Sequence, residues 1–505
     1  MPADVEELLK QTSAAGSVNH QRAGYVPTSR DALVLNTQRR LLDDADGHLT
    51  AEIARLAELR DRIRKQTAIH TSLLSPCHRL PPELWSTIFL MVLGPSWSTE
   101  AAGARPSMIA QVCHRWRTII LQTPQIWTDM YICQCRGPDA QMYNAEGIKD
   151  ELSRTGRAPL RVHVNLIDYD ENVRYRERFR GPFRAAFWST DIWAALCAHA
   201  DHWESAWLGD LSASALAAYT PLPLTFPSLR YLTLQTHNED DPDITTELPL
   251  RLFSNAPNLE SLRILYWAPP VVPLLLPSSW RLTRLDINCE LEPHAPLSPC
   301  LPLILACTSL VECDISAPVF GTPVEGLSRA VFPALQRLSL MYAAIHLCRL
   351  MSAPALEYLY LGGEMPLEDS PVNEITAFES LLDNSNDCPA LRDLTLGGFD
   401  CTAREVVRCL TRLPHLERLS VTNNEYFERM EPPASMDLIR ALTRDSTASL
   451  SFLPRLEYLN LGYADGNEDP DPEGLDEAMG TMRESRMRPS PLTDGQSLAY
   501  LRRSS

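Results

Sequence analysis

The sequence predicts an α/β fold: an N-terminal helix and a three-helix module, followed by an irregular solenoid of parallel strands backed by helices. Three observations carry that prediction. One pattern, P-x-L-x-x-L-x-L, returns nine times from residue 226 onward. Helix-patterned stretches fill the gaps between its copies. The first 130 residues show helical rather than strand periodicity, broken by proline and glycine.

Composition narrows the function classes. The chain has 505 residues, enough for two or three units with sizeable cores. Its 40 prolines are spread along it, which favours many short punctuated elements. A formal net charge of −18 makes it a poor partner for a phosphate backbone, so no nucleic acid is expected. No apolar run reaches membrane-spanning length, and the start MPADVEELLKQTS lacks the basic and apolar segments of a secretory signal. The 13 cysteines are odd in number and scattered. Cys133 and Cys135 are too close for an ordinary zinc knuckle, and Cys289, Cys313, Cys348 and Cys409 sit in apolar stretches as small hydrophobes. A reducing compartment, cytoplasmic or nuclear, is the expected location.

Residues 1–28 are polar and are expected to be irregular and flexible. From 29 to 73 the pattern is helical. Leu35, Leu42, Leu49, Leu56 and Ile63 fall every seven residues, while the companion row Gln38, Ala45, Glu52, Leu59 and Gln66 is mostly polar. Two arrangements fit: an amphipathic helix lying against a neighbouring domain, or a short coiled coil giving self-association through 29–70.

Residues 74–132 form the module on which the chain is organised. Leu80-Pro81-Pro82-Glu83-Leu84 is a helix start, because proline suits a first turn that has no use for its N–H and Glu83 suits the positive helix end. Leu84, Ile88, Met91 and Val92 recur at helical spacing until Gly94 and Pro95. A second short helix holds Met108, Ile109 and Val112. A third carries Trp116, Ile119 and Ile120 and stops before Pro124. Three such helices cannot bury their apolar surface alone.

These residues resemble the F-box: Leu80-Pro81-Pro82-Glu83-Leu84, Ile88-Phe89, Val112-Cys113-His114-Arg115-Trp116 and the closing Trp127. The resemblance implies that the three helices dock on the Skp-type adaptor of a cullin ubiquitin ligase. It also implies that Leu80, Pro81, Leu84, Ile88, Val112 and Trp116 form or support the adaptor-facing surface. The loop Gly94–Arg105 is longer than usual for that family. A heptad-like helix running into such a module is also similar to a large group of fungal F-box proteins.

Residues 133–225 read as a transition. It contains an alternating strand at 160–166, a helix at 191–200, and a degenerate first copy of the repeat at 202–208. The full copies begin at Phe226, Ala256, Ser279, Cys307, Phe332, Ala353, Cys388, Leu413 and Leu453. They resemble the leucine-rich repeat, L-x-x-L-x-L-x-x-N/C, so the resemblance implies an irregular leucine-rich-repeat solenoid over 226–465. The last motif position departs from the pattern. Asn424 stands there once, against His237, Trp267, Ala343 and Phe399, so the usual asparagine ladder is mostly missing. Successive first leucines are 21 apart at the shortest, Leu335 to Leu356, and 40 at the longest, Leu416 to Leu456. Helices are expected at 345–351, 375–382, 403–410 and 436–442.

Because strand side chains alternate, the residues between the leucines share one face. One row is Tyr231, Ser261, Arg284, Glu312, Arg337, Tyr358, Asp393, Arg418 and Tyr458. The next is Thr233, Arg263, Asp286, Asp314, Ser339, Tyr360, Thr395, Ser420 and Asn460. A third becomes small late: Gly362, Gly397, Thr422 and Gly462. Any solvated sheet face is polar. Aromatic and arginine side chains are nonetheless enriched at binding hot spots, so Arg337, Tyr358, Tyr360, Arg418 and Tyr458 are the candidate target-binding cluster.

After 465 the acidic stretch 465–474 is a solvated loop; Pro470 stands where a calcium loop needs glycine. The rest to 505 is expected to be a flexible tail. No catalytic motif stands on a suitable element, the 12 histidines do not pair at metal spacing, and no catalytic residue, metal or cofactor is assigned. The function implied is a non-enzymatic substrate adaptor of a ubiquitin ligase, with a Skp-type protein, through it a cullin, and an unidentified protein substrate as partners. The alternative is a ligase-independent scaffold whose F-box caps the repeat array.

Overall fold

The structure, a computed structural model, describes residues 2–93, 106–133, 145–165, 190–209, 224–236, 249–266, 274–277, 279–289, 296–321, 328–363, 374–399, 401–422, 436–444, 451–462 and 475–487. The chain divides into two compact units, Met1–Trp85 and Ser86–Ser505.

In the first unit, helices α1 (Pro2–Ala15) and α2 (Val18–Arg22) stand where polar composition predicts irregular chain. The less exposed side of α1 carries Val5, Leu8 and Thr12, and the buried Thr12 hydroxyl is satisfied by donating to the Leu8 carbonyl within the helix, at 2.8 Å. Helix α3 (Ser29–Leu74) runs for 46 residues, about 70 Å. Thr28 and Asp31 cap it reciprocally. Tyr25 adds a 2.7 Å bond to Asp31, and these donors hold the Asp31 carboxyl below its ordinary range. Helix α1 packs on α3, and a Cβ on Gly16 would lie 3.5 Å from Leu35. The half-buried residues of α3 at Asp31, Ala32, Leu35, Gln38, Leu42 and Ala45 form one stripe over its first half. No residue of α3 is buried.

The second unit holds α/β structure around a parallel sheet. The rest of α4 (Pro82–Leu93), α5 (Pro106–Ala110), α6 (His114–Leu121) and a 3-10 turn at Pro124–Trp127 lead directly into β1 (Asp129–Cys133). Then follow α7 (Ala145–Thr155), β2 (Leu160–Asn165), α8 (Thr190–Cys197) and β3 (Trp203–Gly209). Strands β4 (Tyr231–Thr236), β5 (Ser261–Tyr266) and β6 (Arg284–Asn288), helix α9 (Leu301–Ala306) and β7 (Glu312–Ala317) come next. They continue into β8 (Ala330–Val331), β9 (Arg337–Tyr342), β10 (Met351–Ser352) and β11 (Tyr358–Gly362). The last part is α10 (Glu374–Asn384), β12 (Asp393–Gly397), α11 (Ala403–Leu410), β13 (Arg418–Thr422), α12 (Met436–Leu442), β14 (Tyr458–Gly462) and α13 (Leu475–Met487).

Among the described residues twelve strands form one sheet in chain order, β1 to β7 and then β9, β11, β12, β13 and β14; β8 and β10 pair separately. Each pairing in the large sheet is parallel. The sheet therefore begins well before residue 226. The expected transition already contributes β2 and β3, in register with the strands that follow. The motif leucines point into the core: Leu232, Leu262, Leu285, Leu338, Leu359, Leu394 and Leu419 are buried.

The motif's first half makes the turn. In most copies proline sits second in a four-residue turn whose last N–H returns to the first carbonyl, as in Leu229 to Phe226 and Leu391 to Cys388. The residue just before each strand then ties neighbouring copies together. Its carbonyl accepts two N–H groups from the next copy. Arg230 accepts from Glu260 and Ser261, and Glu260 accepts from Thr283 and Arg284. The series continues through Thr283, Val311, Gln336, Glu357 and Arg392 to Glu417, with every bond at 2.8–3.1 Å. Of the departures from asparagine, Phe399 is simply buried.

Two further expectations are corrected. The stretch 345–351 is not an α-helix but a 3-10 helix, Ala343–Arg349, running into β10. It lies in the shortest copy, and a 3-10 helix covers more length per residue. The tail is not uniformly irregular, because α13 packs on α12. Its Arg486 is fully buried and donates to the carbonyls of Leu442, Leu453 and Phe452 at 2.7, 3.2 and 3.2 Å. The acidic stretch 465–474 lies outside the described residues.

Candidate functional site

The helical module of the second unit has two kinds of apolar residue. Phe89, Leu93, Ile109, Ile119, Ile120, Ile126 and Trp127 are buried. Phe89 meets Trp116 edge-on at 5.1 Å between ring centroids. Ser86 bonds Thr123 at 2.9 Å, and the Trp127 indole donates to the Ile120 carbonyl at 2.9 Å. Cys113 caps α6 with its sulfur, and Arg117 donates to the Ala110 carbonyl. Arg154 of α7 lies 4.7 Å over Trp127, tying the module to the first helix behind the sheet.

A second set points outward. Ile88 is 36% exposed, Val92 59%, Met108 59%, Val112 61% and Met91 76%. Of the residues expected to face an adaptor, Ile88 and Val112 belong to this set, and Trp116 is half-buried behind it. In the first unit Pro81 and Leu84 are exposed and Leu80 is half-buried. The spacing of Met91 and Met108 had marked them only as helix residues. Their exposure singles them out, and methionine adapts readily to a partner surface.

The second candidate surface is the sheet face opposite the leucines. The two expected rows are in register from β4 to β14. Charges pair across neighbouring strands: Arg263 with Asp286 at 3.0 Å, Arg284 with Glu312 at 3.5 Å and Arg418 with Asp393 at 3.7 Å. Arg337 instead lies 4.8 Å over the Tyr358 ring. The row thus brings Arg337, Tyr358, Asp393, Arg418 and Tyr458 together on adjacent strands, with Tyr360 in the row beside Tyr358. Burial pushes the Asp393 carboxyl up, against the pull of Arg418 and Arg337. The small third row is partly filled: a Cβ on Gly362 would come within 3.1 Å of the Tyr360 ring, so glycine seats that ring.

The rows also continue to the other end of the sheet, where residue patterns alone had not carried them. Asp129 and Arg161 extend the first row as an ion pair at 2.6 Å. Tyr131, His163 and Trp207 extend the second. His163 stacks flat on Trp207 at 4.0 Å and lies 4.5 Å from Tyr131. Burial pulls the His163 imidazole down to about 4. The signal available was the alternation in 160–166 together with the degenerate copy at 202–208; β1 is too short to show itself.

Among the described residues no group of three or more His, Cys, Asp or Glu side chains is placed to hold a metal ion, and no helix is long and apolar enough to cross a membrane. Nine of the described cysteines are buried free thiols, with Cys409 pushed up to about 12 by burial. The chain matches no protein-family model and no curated protein.

Proposed function

We propose that the protein is the substrate-recognition subunit of a Skp–cullin–F-box type ubiquitin ligase. In this reading residues 74–132 are an F-box that binds a Skp-type adaptor, and through it a cullin. The parallel sheet with its backing helices is an irregular leucine-rich-repeat solenoid that binds a protein target. Catalysis is by proximity: the target lysine is held near a ubiquitin-loaded enzyme elsewhere in the complex. No residue of this chain does bond chemistry and no cofactor is needed. The acidic charge argues against nucleic acid, the thiol-rich core suits the cytosol or nucleus, and no membrane is involved.

The observation that carries this reading is the two-sidedness of the module. Its buried set already forms a complete interior, yet Ile88, Met91, Val92, Met108 and Val112 remain outside. Protein surfaces that keep such a group of large apolar residues generally present them to a partner. Capture of a purified Skp-type adaptor by the full chain tests it. Met108→Asp with Val112→Asp changes only exposed side chains, so the variant should keep the wild-type melting temperature and lose capture. If intact wild-type protein fails to bind the adaptor, the reading is wrong.

A second reading has its own support. The Arg154 stack on Trp127 ties the module to α7, next to the start of the sheet, as a structural cap would be fastened. A scaffold of that kind would hold its targets through the sheet face without binding the adaptor. Arg337→Glu with Tyr358→Ala should abolish target association under either reading while leaving adaptor capture intact.

A further inference from the structure

Helix α3 is covered over one half only. Its first half carries the stripe that meets α1. From Asp46 to Leu74 the only half-buried residue is Ala57; all others are exposed. In this uncovered half Leu49, Ile53, Leu56 and Ile63 are 48%, 67%, 49% and 57% exposed. They alternate at four- and three-residue steps, with Arg60 filling the remaining seam position. That is the spacing of a two-helix seam. Most of the stability of a helix in a protein comes from packing its apolar face.

Charge identifies the partner. Between 43 and 58 the helix carries Asp43, Asp44, Asp46, Glu52 and Glu58 against Arg55 alone. Between 60 and 65 it carries Arg60, Arg62, Arg64 and Lys65 against Asp61 alone. One helix thus holds an acidic half and a basic half along a single uncovered seam. A second copy laid antiparallel matches both halves at once, whereas a parallel copy sets like against like.

We propose that the protein self-associates as an antiparallel pair through residues 46–74 of α3, with a second copy of this chain as the occupant of the seam. The proposal does not depend on adaptor binding. The pair gives the assembly two copies of whatever each chain holds.

Sedimentation equilibrium on the full chain tests it. The expected mass is twice the chain's 56.6 kDa, with association weakening as salt rises. Reversing the basic half (R62E/R64E/K65E) should raise the dimer Kd by about tenfold or more, and so should reversing the acidic half (D46K/E52K/E58K). Mixing the two variants should restore the pair. Circular dichroism should show helix content retained in each. A wild-type chain that stays monomeric at tens of micromolar overturns the proposal. So does a triple variant that still dimerises, and so does a mixture that stays monomeric. Association that tightens with salt overturns the antiparallel arrangement, and a monomer that instead recruits a different protein onto this seam overturns the choice of partner.

Discussion

The two ends of the large sheet are closed in different ways. At the first end the layer is sealed by apolar mass. Trp127 lies beneath Arg154, and the buried rings of Trp193, Trp203, Phe226 and Phe253 follow one another at 6.0, 5.3 and 4.9 Å between centroids. At the last end Leu438, Ile439 and Leu442 of α12 and Met482 of α13 are buried too, but the final strand is not fully covered. Leu459 and Leu461 of β14 are only half-buried, while Leu419 and Val421 of the preceding strand are fully buried. There the layer is held by one cation satisfying three backbone carbonyls, and burial drags the Arg486 guanidinium down to about 9. The sheet thus ends once by filling space alone and once with a set of buried hydrogen bonds added to the packing. The second device is local, because it acts on a few named atoms.

The largest expected effect is at the apolar end. Trp127→Ala removes a buried ring and leaves a cavity, and should cost about 4 kcal/mol in denaturant unfolding. Hydrogen exchange should quicken across β1 to β3. Arg486→Met, of similar volume, strands three carbonyls and should cost about 3 kcal/mol, with faster exchange confined to β14, α12 and α13. If both variants instead loosen the whole sheet evenly, the two ends do not differ in the way described.

The smallest effect is a titration at the first end. His163 is held neutral by burial, so its folded pKa of about 4 lies below the ordinary value of 6.5. The unfolded chain therefore binds the proton first. Stability should fall as pH drops from about 6.5 toward about 4, and is regained on raising the pH. The slope of melting temperature against pH over that range should flatten in His163→Gln. An unchanged slope would mean that the stacked ring is more open to water than its position between Tyr131 and Trp207 implies.

The same contrast runs through what the sequence made legible. The leucine pattern located nine strands and aligned their outward rows, because burial on one face dictates a two-residue period that no other element shares. It also placed α11 and α12 and the helices around Ile88 and Trp116. What escaped was structure made by few residues or by backbone alone. Strand β1 offers five positions, and the inner side of helix α1 only Val5, Leu8 and the polar Thr12. The double-acceptor carbonyls use no side chain, so residue patterns gave no hint of them. Arg486 lies in a stretch of mixed charge, where nothing distinguishes a buried guanidinium from a solvated one. On the candidate surfaces, residue type marked Arg337, Tyr358, Tyr360, Arg418 and Tyr458. It could not show that Arg418 is already engaged by Asp393, nor that Tyr131, His163 and Trp207 prolong the same face.

The carbonyl ties from Arg230 to Glu417 carry a lesson about how such a chain can change over generations. Acceptor and donors lie where each copy opens, just before the strand and at its first residue, away from the connection that follows it. Register is consequently indifferent to how long that connection is, which is why steps of 21 and 40 residues coexist in one sheet. Insertions and deletions in the connections leave the alignment of neighbouring strands untouched. The outward positions can drift independently of one another. The architecture separates what must be inherited from what is open to selection: a frame written in peptide groups, and a surface written in side chains.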